Sequence, residues 1–183
     1  AALRSLDSSQ LDALTSDHIG ALTTAQVVSL TTEQIRGLSS DDLNAFTSDQ
    51  IPRLTTAQIG ALTTDQISTM ETDDLKALST AQVSRLTADQ LGALTTDQIS
   101  AIETQDLRVI STLAIRGLDS DQLGALTSDQ LGALTTAQTV ALTSEQLGSL
   151  ASDSLNALGT QHFATFTSVQ VDGLTSDQLS SLE

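Results

Sequence analysis

Cysteine, tryptophan and tyrosine are absent from this 183-residue chain, and phenylalanine occurs three times, proline once and methionine once. Without Cys there is no disulfide framework, no thiolate nucleophile and no thiolate metal site, and the compartment is left open. Three Phe cannot supply the stacking platforms or aromatic anchors of sugar, base and hot-spot recognition, so the 39% of hydrophobic residues must build an aliphatic core. Cations are scarce too: seven Lys+Arg stand against 23 Asp+Glu, and the net charge of −16 repels phosphate backbones and anionic lipid alike. Nucleic acid and membrane are therefore excluded as partners. No apolar run reaches the ~18 residues of a membrane span. The opening Ala1, Ala2, Leu3, Arg4 lacks the charged start and apolar stretch of a signal peptide.

What is present is a period of eight. Aliphatic residues fall at Leu11, Leu14, Ile19, Leu22, Val27, Leu30, Ile35 and Leu38, with spacings alternating three and five. From Leu3 and Leu6 to Leu179 and Leu182 this lattice gives 23 pairs without insertion or deletion, and 45 of its 46 positions are apolar; Thr139 is the exception. Between pairs the chain reads Thr, Thr or Ser, Asp or Ala, Gln, as in Thr23, Thr24, Ala25 and Gln26. Residues 1–183 are thus one continuous octapeptide array, and because both ends fall inside the pattern it reads as a piece of a longer one.

A single long helix does not fit, because eight residues at 100° each leave a drift of ~80° per repeat that no partner could follow. A strand does not fit either, since spacings of three and five put the paired aliphatics on opposite faces of the pleat. A very short helix restarting in every octad does. Thr-x-x-Gln is a capping box, in which the Thr hydroxyl accepts from the backbone N–H three residues on and the Gln reaches back to the Thr N–H. The aliphatics on either side form the matching staple, Leu22 before the cap Thr23 and Val27 after Gln26. Fifteen of the 22 complete boxes end in Gln; Asp42, Asp74, Asp106, His18 and His162 are among the replacements. Charge agrees with the helix dipole: 21 of 23 acids lie in the box, and all seven bases lie between the paired aliphatics, near the other end.

Two features go beyond simple capping. Pro52 falls inside one of these helices, so that octad is expected to be irregular or its last turn loose. The second box residue is Ser or Thr in 21 of 22 octads, Ala88 being the exception, which suggests that these hydroxyls bond to a neighbouring coil.

Helices of about one and a half turns are unstable alone and must stack on chain neighbours. The fold class expected is all-α, a solenoid of very short capped helices, with the small residue before the second aliphatic (usually Ala, Gly or Ser) allowing close backbone approach. Asp42, Asp74 and Asp106 recur at every fourth octad, and residues 65–78 parallel 97–110. That spacing reads either as four octads per superhelical turn or as a duplication without geometric meaning. With four octads per layer and ~9–10 Å between layers, the rod would be roughly 50–60 Å long. Runs such as Leu22 to Val27 and Ala93 to Ile99 resemble the short Leu-Thr-Thr-x-Gln arrays of very large bacterial exported or surface proteins. The resemblance implies a passive, elongated segment of an extracellular or cell-surface protein, with no catalytic residues to carry over.

Candidate chemistry is sparse. His18 and His162 stand at the Gln position 18 octads apart and read as capping substitutions. The pairs Asp41 and Asp42, and Asp73 and Asp74, lack the alternating oxygens and Gly turn of a calcium loop and read as solvated helix starts. No phosphate loop, metal-spaced cluster or catalytic triad stands out, so no catalytic, cofactor or metal residue is assigned and no enzyme is expected. The local departure is Arg108 to Arg116, where the box acid and Gln are lost and Val109 and Leu113 add apolar surface between Arg108 and Arg116, reading as a contact patch or as repeat drift.

The function expected is a structural spacer or scaffold that self-associates or contacts protein; the alternative is a binding module for protein, glycan or ice. The structural caps are Thr23, Gln26, Thr95 and Gln98; capping alone predicts a cost of ~0.5–2 kcal/mol for Thr95→Ala and somewhat less for Gln98→Ala. The lattice generates a sharper test. Deleting one octad should shorten the array with modest loss of thermal stability, whereas deleting half an octad should break register and lower the melting temperature sharply; equal tolerance of the two deletions would rule out the repeat as the folding unit.

Overall fold

Among the described residues every complete box but one opens an α-helix of four to six residues; the exception is the octad that holds Pro52. The computed structural model describes residues 3–182 and their side chains, those of Ser8 and Asp12 apart. Among the described residues there are 21 short α-helices and two 3-10 turns, with no strands, so the chain is all-α. In Thr96–Ala101 the cap Thr95 has extended backbone, its Oγ1 accepts from the Gln98 N–H at 3.2 Å, and Gln98 Oε1 accepts from the Thr95 N–H at 2.7 Å. The first lattice residue ends up fully inside: Ile19, Ile35, Ile59 and Leu91 show no exposed surface. Thr139, the polar exception, is equally buried and turns its hydroxyl onto the Thr136 carbonyl at 3.0 Å. Both lattice positions feed one continuous core along the array.

A helix this short is all ends, so most of its N–H and C=O groups have no partner within it. The solution is the same in turn after turn. Gln98 Nε2 donates to the Ile67 carbonyl at 2.9 Å and to the Met70 carbonyl at 2.7 Å, 31 and 28 residues back. Gln58, Gln82, Gln90 and Gln130 do likewise to Val27 and Leu30, Ile51 and Leu54, Ile59 and Leu62, Ile99 and Ile102. These acceptors are C-terminal carbonyls of the helix one turn below. The side chain that closes one helix's start therefore also closes another's finish.

These contacts fix the turn. Helix Thr112–Ile115 packs against Ala88–Gly92 and Thr136–Ala141, each three octads away. Asn44 Nδ2 donates to the Thr69 carbonyl and Asn156 Nδ2 to the Ser181 carbonyl, 25 residues on, while the Gln amides reach back as far as 31. One turn thus spans between three and four octads, about 28 residues at the midpoint of that range, and each octad rotates the chain by roughly 100°. The turn is shorter than four octads, so the spacing of Asp42, Asp74 and Asp106 reflects sequence duplication and not the pitch.

Close approach between turns explains the small residues. No residue among those described has positive φ, so glycine is not needed for turn geometry. Instead, a methyl on Gly117 would overlap the Ala88 carbonyl oxygen, and one on Gly92 would lie 2.7 Å from the Gly117 carbonyl oxygen. Pro52 gives the irregular octad expected. Its missing N–H and ring turn the segment into a 3-10 turn, Ile51–Arg53, after a non-helical bend. Gln50 still accepts from the Thr47 N–H at 2.7 Å and donates to the turn below, so the superhelix passes through. One expectation fails: among the described residues no second-position hydroxyl bonds a neighbouring coil. Thr64, Thr96 and Thr136 are exposed, and the coil-to-coil bond belongs to the Gln amide.

The two jobs of Gln reverse the ranking that capping alone implies. Gln98→Ala would strip a buried cap bond, leave the Met70 carbonyl unpaired and leave the Ile67 carbonyl with only the Met70 N–H at 3.3 Å, costing ~2–4 kcal/mol, against ~0.5–2 kcal/mol for Thr95→Ala. Gln26, whose side chain has no turn beneath it and is exposed, should cost under ~1 kcal/mol as Ala. Chemical denaturation of the three variants checks the order, and equal losses for Gln98→Ala and Gln26→Ala would refute the inter-turn role.

Candidate functional site

The fourth box position is the most chemically constrained place in the molecule. From Gln34 onward its glutamines are buried, whereas Gln10, His18 and Gln26, in the first turn, are exposed. Burial follows the inter-turn bond, not the local cap, which all of these share. The capping box tolerates Glu as readily as Gln, yet Glu never occupies the fourth position in this chain. A carboxylate can accept from the cap N–H but has nothing to give the two carbonyls. That omission was the sequence signal for the inter-turn role.

The replacements show the two functions coming apart. His18 Nδ1 accepts from the Thr15 N–H at 3.2 Å and keeps the cap, with no turn below it to serve. His162 does the opposite: its Nε2 lies 2.7 Å from the Leu134 carbonyl, 28 residues back, while Nδ1 has no partner and the cap residue is Gly159. The two histidines are separate substitutions and form no common site. Asp42 accepts from the Ser39 hydroxyl at 2.8 Å and is half-buried. Asp74 and Asp106 are buried, and Asp106 Oδ1 has no partner. Their caps Glu71 and Glu103 make no side-chain cap bond. Burial, then the neighbouring Glu71 and Asp73 carboxylates, pushes the Asp74 carboxyl up to about 6.

Among the described residues no group of three or more His, Cys, Asp or Glu side chains is placed to hold a metal. Open grooves run between turns, one lined by Glu71, Asp73, Thr95 and Asp97 and its counterpart by Glu103, Thr104, Thr127 and Asp129. The one ion pair among the described residues, Lys76 with Asp73 at 3.9 Å, is solvated. All four residues of the sequence patch are exposed: Arg108, Val109 and Arg116, and Leu113, the most exposed large hydrophobic among the described residues at 74%. Ala114 takes the Gln position there and is buried; its N–H donates to the Ser111 hydroxyl at 3.1 Å, and it has no side-chain amide to offer the turn below.

The architecture defines a repeat protein whose unit is a capped octapeptide. The chain belongs to the ALTTAQ repeat family, whose model matches residues 1–24, 19–56, 40–72, 67–101 and 99–136. The hexapeptide of that name stands at Ala21 to Gln26 and again at Ala133 to Gln138. No curated protein matches the chain.

Asp74 supplies a pH test. An acid whose folded pKa of about 6 exceeds the unfolded ~4 binds more protons when folded. Its penalty is absent below pH ~4, grows as pH rises through the folded value, and is complete above it. Asp74→Gln, which restores the donor toward the turn below, should stabilise the chain by ~1–3 kcal/mol at pH 7 and by much less at pH 4. Denaturant midpoints at the two pH values measure this, and an identical gain at both would remove Asp74 as the titrating group.

Proposed function

We propose that this array is a non-catalytic spacer or scaffold segment of an exported bacterial protein, setting a distance between whatever lies on either side of it. The carrying observation is where its buried polar chemistry goes. Gln amides, Asn44, Asn156 and His162 all spend their donors on carbonyls of adjacent turns, so these groups serve the stacking of the rod itself. The same Gln bonds recur along the array wherever the amide is present, so length can grow by addition without a new core. No helix among the described residues is long and apolar enough to cross a membrane.

A second reading, a glycan- or ice-binding face, draws on the exposed second-position hydroxyls such as Thr64, Thr96 and Thr136, which carry no protein bond. Inhibition of ice recrystallisation would favour it.

Small-angle scattering separates a spacer from a compact domain. At ~9–10 Å per turn the chain should measure roughly 65 Å, well below 150 Å, with a helical circular-dichroism spectrum and a cooperative melt. Arrays with seven octads removed should shorten by about two turns, ~20 Å. A maximum dimension that does not change with octad number would contradict the spacer reading.

A further inference from the structure

The third box residue faces outward in every octad: all 22 are exposed. A helix start favours an acid there equally in each octad, yet only 13 of the 22 are acids. The turn size explains which. With about 28 residues per turn, octads seven apart return to the same side two turns later. Grouped so, Ala25, Ala81 and Ala137 form one line along the rod. Ala57, Leu113 and Val169 form the next line round, and Asp49, Gln105 and Gln161 lie on the other side of the first. These three lines are neighbours and hold one acid between them. The other four lines are acidic throughout, apart from Ser9, as in Asp17, Asp73 and Asp129 or Asp41, Asp97 and Asp153. The rod therefore has an acidic side and an acid-poor side, whose exposed acids are Asp49, Glu103 and Asp172 against Arg53, Arg85, Arg108 and Arg116.

Exposed large hydrophobics before the last octad follow the same division, whereas Leu179 and Leu182 are exposed beside Asp177 in that octad. Leu113, at 74% exposure, and Val169, at 65%, are third-position residues of the acid-poor side, seven octads and so two turns apart. Val140 falls almost midway between them in sequence, which puts it on the intervening turn. Packing agrees, since Thr112–Ile115 stacks on Thr136–Ala141 and Gln170 Nε2 reaches the Val140 carbonyl at 3.3 Å. Val28 stands fourteen octads before Val140, four turns away on the same side, within the stretch of residues 4–45 that recurs at 116–157. The near-duplication of residues 65–78 at 97–110 does not account for the division. A shift of four octads overshoots the turn by roughly 50°, and the third position changes from Asp73 to Gln105.

We propose that the acid-poor side is a lateral docking surface for a second copy of this chain, paired face to face about a two-fold axis. A body of net charge −16 repels its own copies everywhere except where acids have been withdrawn. Arg53, Arg85, Arg108 and Arg116 lie on or beside this side, close to the acids that border the partner's face. The surface runs through successive turns, and the partner that matches its pitch along the whole rod is another such rod. A stable interface takes about 800 Å² from each partner, and three lines of seven on a molecule of 8866 Å² exceed that. The inference deepens the scaffold reading and rests on it: copies of one spacer become a laterally bonded bundle.

Sedimentation equilibrium of the chain and of Leu113→Asp/Val169→Asp tests the surface. Aspartate already fills half of the third positions, so the double variant should keep its fold, which circular dichroism verifies. The chain should dimerise at ~10–100 µM and more tightly as salt screens the acidic sides, and the double variant should weaken association at least tenfold. Asp73→Ala/Asp129→Ala, on the acidic side, should not weaken it. A chain that stays monomeric at every concentration, or a double variant that associates as the parent does, overturns the proposal. In either case a rod whose length still scales with octad number leaves the scaffold reading standing.

Discussion

The fold depends on one side-chain amide with two jobs. Helices of four to six residues leave nearly every backbone donor and acceptor at an end, and isolated helices of this length do not persist in water. Glutamine at the fourth box position resolves both ends together: its oxygen takes the N–H that opens its own helix, and its nitrogen covers two carbonyls that close the helix one turn earlier. Aliphatic burial supplies the driving force for stacking, while the amide decides how turn sits on turn. The exposed Gln26 and the buried Gln98 have the same local cap and differ in having a turn beneath them.

Departures from the rule are instructive because the array absorbs them. Pro52 breaks a helix but leaves Gln50 in place, so the superhelix continues through a 3-10 turn. Gly159 forfeits the side-chain cap, and His162 still reaches Leu134. Asp74 and Asp106 forfeit the donor and bury a carboxyl instead, one displaced in its titration and one with an unpartnered oxygen. Each octad touches only its neighbours in the stack, so such defects stay local.

Much of this was legible in the sequence for a physical reason. The lattice of 3 and 5, the capping box, the polarity of charge and the irregular octad at Pro52 are short-range consequences of helix chemistry and appear within a single octad. The number of octads per turn is not short-range. It is set by how backbones meet, as at Gly117 and Ala88, and the four-octad repetition of Asp42, Asp74 and Asp106 pointed to a longer turn because it records ancestry. The same gap hid the second job of glutamine, whose acceptors lie a turn away. It also led to the second-position hydroxyls being given a bond that the amide makes. Grouping the patch of Arg108, Val109, Leu113 and Arg116 with Val140 and Val169 needed the turn as well, since those residues are distant in sequence and share only an azimuth.

A turn of three and a half octads makes the array a vernier. Inserting or losing one octad leaves every local bond intact yet swings everything downstream by roughly 100°, so an indel silent to folding scrambles which side residues face. Only changes in multiples of seven octads restore the bearing. The likeness of residues 4–45 to 116–157 is a displacement of fourteen octads, and so preserves it. In such a molecule selection on surface identity acts on the count of repeats, while selection on stability does not notice it.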